Sequence, residues 1–323
     1  MSSSPRAWSL LSGLLFLTAI PAWAQAPTGD TPDVPRRPAA DPADIPARRV
    51  NLDHFVGGGF NPLVAEYSVR ATSRWRQGHS EELLWRDTYL SLGGQVRLNP
   101  CYATVGPLLQ WQPIAVFNLQ ALVDAYGFFG TAGMLQSFRS PLENYSDPAR
   151  NARTEAQDNY ATTGWHAMLK PTLQARLGRV ALQNVVTVDY FSMRLRGGDT
   201  LWYDAGPDTL LPGRGFMLTE EVNLVYLADK LTLGATFRYL LPFYDSGNFQ
   251  PGEDARAADN NNVRLGALAA YTFRDGGYSS FNHPTVFATA AWHMHHRYRS
   301  GLVSSQALPF IAVGFAFQQD FVY

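Results

Sequence analysis

The chain has 323 residues, with 26 basic and 27 acidic side chains and a formal charge of −1. That balance excludes the basic excess a nucleic-acid binder carries, and a single cysteine, Cys101, excludes an internal disulfide framework. Aromatic side chains are plentiful, including 15 Tyr and 8 Trp, the types that gather at membrane–water boundaries.

The N-terminus reads as an address. Arg6 supplies a positive start, residues 8–20 form an apolar run, and Pro21 precedes Ala22-Trp23-Ala24, a small-x-small cleavage signal. The run is shorter than the ~20 residues a spanning helix needs, so a signal peptide over 1–24, cleaved near Ala24, is expected. Cleavage leaves 25 basic against 27 acidic residues. Residues 25–55 are rich in Pro, Ala, Asp and Arg, too poor in apolar surface to repay their ordering entropy. They are expected to be a disordered periplasmic linker, and Gly57-Gly58-Gly59 leads from it toward the first strand.

From there the sequence keeps a period of two. Leu63, Ala65, Tyr67, Val69, Ala71 and Trp75 alternate with Glu66, Ser68, Arg70, Thr72, Arg74 and Arg76. The same rule governs 165–177, 180–190, 231–243 and 263–274, and aromatic residues often end the apolar faces. These segments exceed the ~5–6 residues of a soluble strand and suit the ~9–11 residues of a tilted membrane strand. No apolar run after the leader is long enough for a spanning helix. A closed barrel is the other structure that satisfies every backbone group in lipid.

Connection lengths point the same way. Asn99-Pro100, Gly178-Arg179 and Ala228-Asp229-Lys230 read as short periplasmic turns, whereas 139–159, 196–215 and 246–262 read as long external loops. The stretch 102–138 contains Pro107 and Pro113, poor residues for a paired strand. It reads as three strands, with turns near 111–113 and 126–127. Glu220 breaks the pattern, because strict alternation over 216–226 places it on the lipid face unless a bulge intervenes.

The chain end is the most specific feature. Ile311, Val313, Phe315, Phe317, Phe321 and Tyr323 share one face, interrupted only by Gln319, against Ala312, Gly314, Ala316, Gln318 and Asp320 on the other. Here the sequence resembles Gram-negative bacterial outer-membrane β-barrel proteins, whose last strand ends in an aromatic residue with alternate apolar positions. The resemblance implies that Phe315, Phe317, Phe321 and Tyr323 form the signal read by the barrel-assembly machinery. It also implies passage through the periplasm to the outer membrane. The expected fold is all-β: an antiparallel up-and-down transmembrane barrel over 56–323 with about twelve strands, or alternatively ten or fourteen. A monomer in outer-membrane lipid is expected, with no cofactor, metal or nucleic acid.

The sequence offers three candidate chemistries. In Trp292-His293-Met294-His295-His296, an ideal strand would point His293 and His295 the same way, about 7 Å apart, with His296 opposite. No local Asp, Glu or Cys spacing completes a metal set. Ser304 or Ser305 with His295 could make a nucleophile–base pair at the barrel rim, acting on lipid, but the surrounding sequence carries no hydrolase motif. The inward face is the strongest candidate. Alternation sends Glu66, Arg70, Arg74, Asp87, Arg97, Asp124, Lys170, Arg176, Asp189, Glu221, Arg238 and Arg264 into the lumen, because charge is costly on the lipid face. These groups either line a narrow porin-like channel for small solutes, with a weak preference for anions, or pair across the lumen and close it. The small residues Ala312, Gly314 and Ala316 favour the channel by leaving room.

Overall fold

The structure is a computed structural model, and it describes residues 47–78, 82, 84–85, 88–273 and 281–322. The expected signal peptide, the linker up to 46, Asp87 and Tyr323 lie outside the described residues. Twelve strands form one closed antiparallel barrel. In chain order its wall is β1 (Arg48–Phe60), β2 (Val64–Arg76), β3 (Tyr89–Leu98), β4 (Tyr102–Ile114), β5 (Phe117–Phe129), then β7 (Ala161–Leu177) and β8 (Val180–Met193). It continues through β11 (Arg214–Ala228), β12 (Leu231–Pro242), β13 (Asn262–Thr272), β14 (Asn282–His295) and β15 (Phe310–Val322). Between these lie the short strands β6 (Ser137–Phe138), β9 (Leu201–Asp204) and β10 (Thr209–Pro212), and one helix, α1 (Asp147–Glu155). β1 closes on β15 in continuous register from Arg49 opposite Val322 to Phe60 opposite Ile311. Closure leaves no free edge, so every strand's backbone groups find partners inside the wall.

The alternation read from the sequence becomes a two-sided wall. Along β8, Leu182 is exposed and Gln183 buried; along β11, Leu224 is exposed and Asn223 buried. Aromatic residues cluster on the outer surface toward both ends. Tyr190 contacts Trp165 and Phe216 near one rim, at 5.2 and 4.8 Å between ring centroids. Near the other, Phe317 stacks on His54 at 4.4 Å and packs against Phe281 at 5.0 Å. An apolar belt between aromatic clusters is the surface a bilayer selects.

The strand number matches the expectation, although the division of the chain differs in two places. Strand β1 begins at Arg48, so residues 48–55 of the expected linker already belong to the barrel, and Gly57-Gly58-Gly59 lies within the strand. A Cβ on Gly57 would meet the tip of the inward Phe55 ring at 2.7 Å, so the ring would have to shift to admit a larger residue. The stretch 102–138 supplies two wall strands rather than three, turning at 115–116. Pro107 and Pro113 are accommodated within β4. Of the expected short turns, Gly178-Arg179 and Asp229-Lys230 lie at the end shared by the chain termini, with Gly178 and Asp229 in the left-handed region that such turns require. Asn99-Pro100 lies at the opposite end, among the long loops.

Glu220 needs no bulge. The pairing of β11 with β8 and with β12 runs without a register shift, and Glu220 stays on the outer face. Its carboxylate accepts a hydrogen bond from Asn184 Nδ2 of β8 at 2.8 Å. The pairing of β13 with β14 does shift, between Val263 and Arg264. This bulge changes the expected histidine geometry. His293 and His296 both lie buried inside, with ring centroids 5.3 Å apart, while His295 is half exposed.

Parts of two long loops fold inward rather than arching into solvent. β6, β9 and β10 form a small antiparallel sheet that hangs inside the barrel from the end opposite the termini. Leu201, Trp202, Tyr203, Leu210 and Leu211 are wholly buried against inward residues of the wall, including Tyr102, Tyr126, Phe128 and Phe191. Trp202 meets Phe128 and Phe191 edge-on, at 5.4 and 5.7 Å. Polar contacts tie the long loops to one another and to this cap. Arg297 donates to the carbonyls of Pro141 and Leu142 at 2.9 and 2.7 Å, and Asn260 Nδ2 donates to Pro141 O at 2.8 Å. Arg299 donates to Asp208, to Asp147 at the start of α1, and to Asn61. The lumen is therefore filled at this end by the protein's own loops.

Candidate functional site

Below the cap the barrel holds a chamber with a void of about 60 Å³. Strands β2, β3, β5, β7, β8 and β11 supply its walls, and Asp204 and Pro207 of the cap supply its roof. Six of the residues expected in the lumen meet here: Glu66, Arg70, Arg97, Lys170, Asp189 and Glu221. The walls between them are apolar, from Leu122, Met168, Val185, Phe191 and Met217. Lys170, Met168 and Glu221 are half-buried rather than closed off, so the chamber communicates with solvent away from the roof.

The charges are ordered by a chain of hydrogen bonds running round the wall. Arg70 Nε donates to Gln95 Oε1 at 2.8 Å. Arg97 donates to Thr104 Oγ1 at 3.1 Å, to Asp124 Oδ2 at 2.8 Å and to the Tyr126 hydroxyl at 2.9 Å. His166 then bridges two carboxylates, with Nδ1 2.8 Å from Asp124 Oδ1 and Nε2 2.8 Å from Asp189 Oδ1. Asp124 thus stands behind the chamber wall, saturated by Arg97 and His166. Such a network holds its members in one geometry because each lost bond would strand a buried charge.

The other expected residues lie elsewhere. Arg74 rests 4.0 Å from the ring of Tyr89, and Arg176 Nε caps its own turn by donating to Gly178 O at 2.8 Å. Arg238 and Arg264 face one another across β12 and β13, both buried, with Arg264 stacked 4.3 Å from the ring of Phe310. These two lie outside the chamber lining. The room expected beside Ala312, Gly314 and Ala316 is taken by aromatic rings: a Cβ on Gly314 would meet Phe287 at 2.3 Å, and Phe287 stacks with Phe55 at 5.7 Å.

Sequence alternation missed the two groups that complete the site. His166 was on the inward face, but periodicity gives no sign that it lies between two carboxylates on neighbouring strands. Asp204 comes from a segment read as a polar loop. The signal present was Leu201-Trp202-Tyr203, an apolar cluster that a solvated loop has no reason to carry. Burial pushes the Asp204 carboxyl up to about 6. Asp208, deeper in the cap, behaves oppositely: burial opposes its charge, but Arg299 and His296 overcome that and hold it well below the usual carboxylate range.

The alternative chemistries are not assembled. His295 Nε2 lies 2.8 Å from Asp259 Oδ1, and among the described residues neither Ser304 nor Ser305 hydrogen-bonds to it. His296 is engaged at both nitrogens, by Asp208 and by the Tyr298 amide. Among the described residues no group of three His, Cys, Asp or Glu side chains has the arrangement to hold a metal ion.

No family model and no curated protein matches the sequence. Solved structures do align with the fold. An outer-membrane channel from Pseudomonas putida F1 aligns over 91% of this chain and 100% of its own, at 11% identity and a TM-score of 0.40. The KdgM porin aligns over 83% and 98%, at 8% identity and 0.36. LpxR from Salmonella typhimurium aligns over 84% and 100%, at 9% identity and 0.36. Scores this low transfer no solute and no reaction. Closure, strand length and the apolar outer belt define the architecture on their own terms: this is a twelve-stranded barrel of the outer-membrane type. Its particular character is a lumen capped from one end by its own loops above a charged chamber.

Proposed function

We propose that the protein is an outer-membrane channel that passes small polar solutes through a narrow lumen, and that its loop cap closes the outer entrance in this conformation. The chamber carries this reading. A lumen serving only as structural packing would bring its charges into contact and fill the space between them, whereas a void of about 60 Å³, open toward solvent, remains among ordered charged groups. In this account the chain is exported behind a leader cleaved near Ala24 and works as a monomer in outer-membrane lipid. Phe315, Phe317 and Phe321 face outward on β15 and, with Tyr323, would be read by the assembly machinery. The nearly balanced charge of the lining argues against the anion preference expected from the arginine count alone.

The filled end of the lumen favours a second reading, a non-conducting barrel whose external loops bind a partner. Single-molecule conductance in planar bilayers separates the two. The channel reading expects discrete openings of small conductance, and persistently silent membranes containing folded protein would remove it.

A further inference from the structure

At the rim away from the chain termini, several strands of the wall present apolar side chains outward. Phe60 of β1, Leu98 of β3, Phe129 of β5 and Phe243, one residue past β12, are all exposed there. Strands β7, β8 and β11 differ. Trp165 of β7 and Arg214 of β11 both pair with Ser192 of β8, so these three side chains form one outward row. Below it lie Tyr190 and Phe216, directly opposite one another and in edge-on contact. Above it lie Thr163 and Arg194, which a main-chain hydrogen bond of 3.0 Å from Arg194 N to Thr163 O holds side by side.

The polar groups of this patch are all able to donate, and none is spent. Among the described residues no side-chain hydrogen bond or ion pair engages Arg194, Arg214, the Trp165 indole N–H or the hydroxyls of Thr163, Tyr190 and Ser192. Carboxylates that flank these strand ends in sequence are committed elsewhere. Asp158 pairs with Arg153 and Arg196, Asp199 with Arg139 and Ser137, and Asp245 accepts from the Gly247 amide. Arg194 and Arg214 are thus two like charges at diagonal positions of one outer face, a spacing of about 7 Å between Cβ atoms. Like charges so placed repel, and a single anion shared between them removes that penalty. Phosphate suits the pair, because each guanidinium can offer two parallel N–H donors to its oxygens.

Position names the carrier of that phosphate. The arginines stand just beyond the cluster of Trp165, Tyr190 and Phe216, the level at which amphipathic rings meet lipid headgroups. The next outward pair below the rings is Val188 opposite Leu218, a surface for acyl chains. We propose that the outer face of β7, β8 and β11 seats a phosphate-bearing lipid of the outer leaflet, with its phosphate held between Arg194 and Arg214 and its chains lying over Tyr190, Phe216, Val188 and Leu218. The inference uses the outer-membrane placement of the barrel and not its conduction. A silent barrel that retains the lipid keeps this site, and a conducting one that does not retain it loses the site.

Native mass spectrometry of the folded barrel in detergent tests this with three probes: lipid A bearing its phosphates, dephosphorylated lipid A, and inorganic phosphate. The phosphorylated lipid stays bound, the dephosphorylated form is held about tenfold or more weakly, the scale of one charge-assisted hydrogen bond, and millimolar inorganic phosphate does not displace the lipid. Arg194→Gln combined with Arg214→Gln lowers retention of the phosphorylated lipid by about the same factor and leaves the dephosphorylated form unchanged. Arg139→Gln, at a rim arginine already paired with Asp199, leaves both unchanged. Migration of unboiled protein on a gel verifies folding of each variant. Equal retention of the two lipids, full retention by the double variant, or an equal loss in Arg139→Gln overturns the proposal. Displacement by inorganic phosphate overturns it as well, because the site would then be one for a free anion.

Discussion

Arg299 grips Asp208 with two arms of its guanidinium: Nε donates to Oδ2, and Nη2 donates to Oδ1 at 3.2 Å, with both side chains almost fully buried. The pair joins the last external loop to the cap sheet, and Nη1 of the same guanidinium reaches Asn61 in the turn between β1 and β2 at 2.8 Å. The cap is thus fastened to the rim on the side away from β8 and β11, where its own loop is anchored.

Removing Arg299 leaves the buried Asp208 carboxylate with only His296 and the Tyr203 hydroxyl, at a cost of up to about 3–5 kcal/mol. Arg299→Ala is expected to lower the opening free energy of the cap by that order while the twelve-stranded wall persists. Amide hydrogen exchange over 201–212 measures it; unchanged protection there would show that the pair does not fasten the cap.

The pH dependence of the cap follows from the depressed Asp208 carboxyl. Its folded value lies below its unfolded value, about 3.9, so the stabilisation is fully present above that value and is lost only as pH falls through the depressed one. Exchange protection over 201–212 is expected to hold from pH 7 to about 4.5 and to fail in stronger acid. Loss of protection between pH 6 and 5 would contradict this assignment.

Trp202 is the apolar counterpart of that fastening, wholly buried between Phe128 and Phe191. Trp202→Ala is expected to cost the cap about 3–5 kcal/mol through lost contacts and a cavity. Heat-modifiable gel migration, which reports the closed wall, should survive, and conductance should rise. A variant that loses the heat-modifiable band would place Trp202 in the stability of the barrel itself.

On the outer wall, Asn184 satisfies the carboxylate of Glu220 at 2.8 Å. Asn184→Val would leave that charge unpaired on the lipid face and is expected to lower the temperature at which the gel shift is lost. Glu220→Val in the same background should restore it. If the double variant is no more stable than the single one, the hydrogen bond is not what makes Glu220 tolerable there.

The wall was legible in the sequence because a bilayer imposes one rule on every strand, and alternation along 180–190 or 263–274 records that rule directly. Counting failed locally for two physical reasons. Arg48 to Phe55 pairs fully with β2 and β15, yet its sequence follows a proline-rich stretch that masks the strand. Pro107 and Pro113 looked like breaks but are carried within β4. The cap was illegible because it depends on long-range packing, and only the Leu201-Trp202-Tyr203 cluster hinted at it. The chamber stood between these cases. Periodicity put Asp189 and Lys170 inside, but which inward charges meet is decided by strand register and by a loop folding back, and neither leaves a periodic trace.

The account rests on the lumen being a passage closed by its own loop, and bilayer conductance of a cap-shortened protein tests this most directly. Replacing 199–212 with a short Gly-Ser linker removes β9 and β10 and leaves the twelve wall strands in place. The shortened barrel is expected to give a stable, continuously open conductance, larger than the intermittent openings of the unaltered protein. A folded, heat-modifiable variant that leaves the bilayer silent would mean that the lumen is sealed by its wall side chains and that the protein does not conduct.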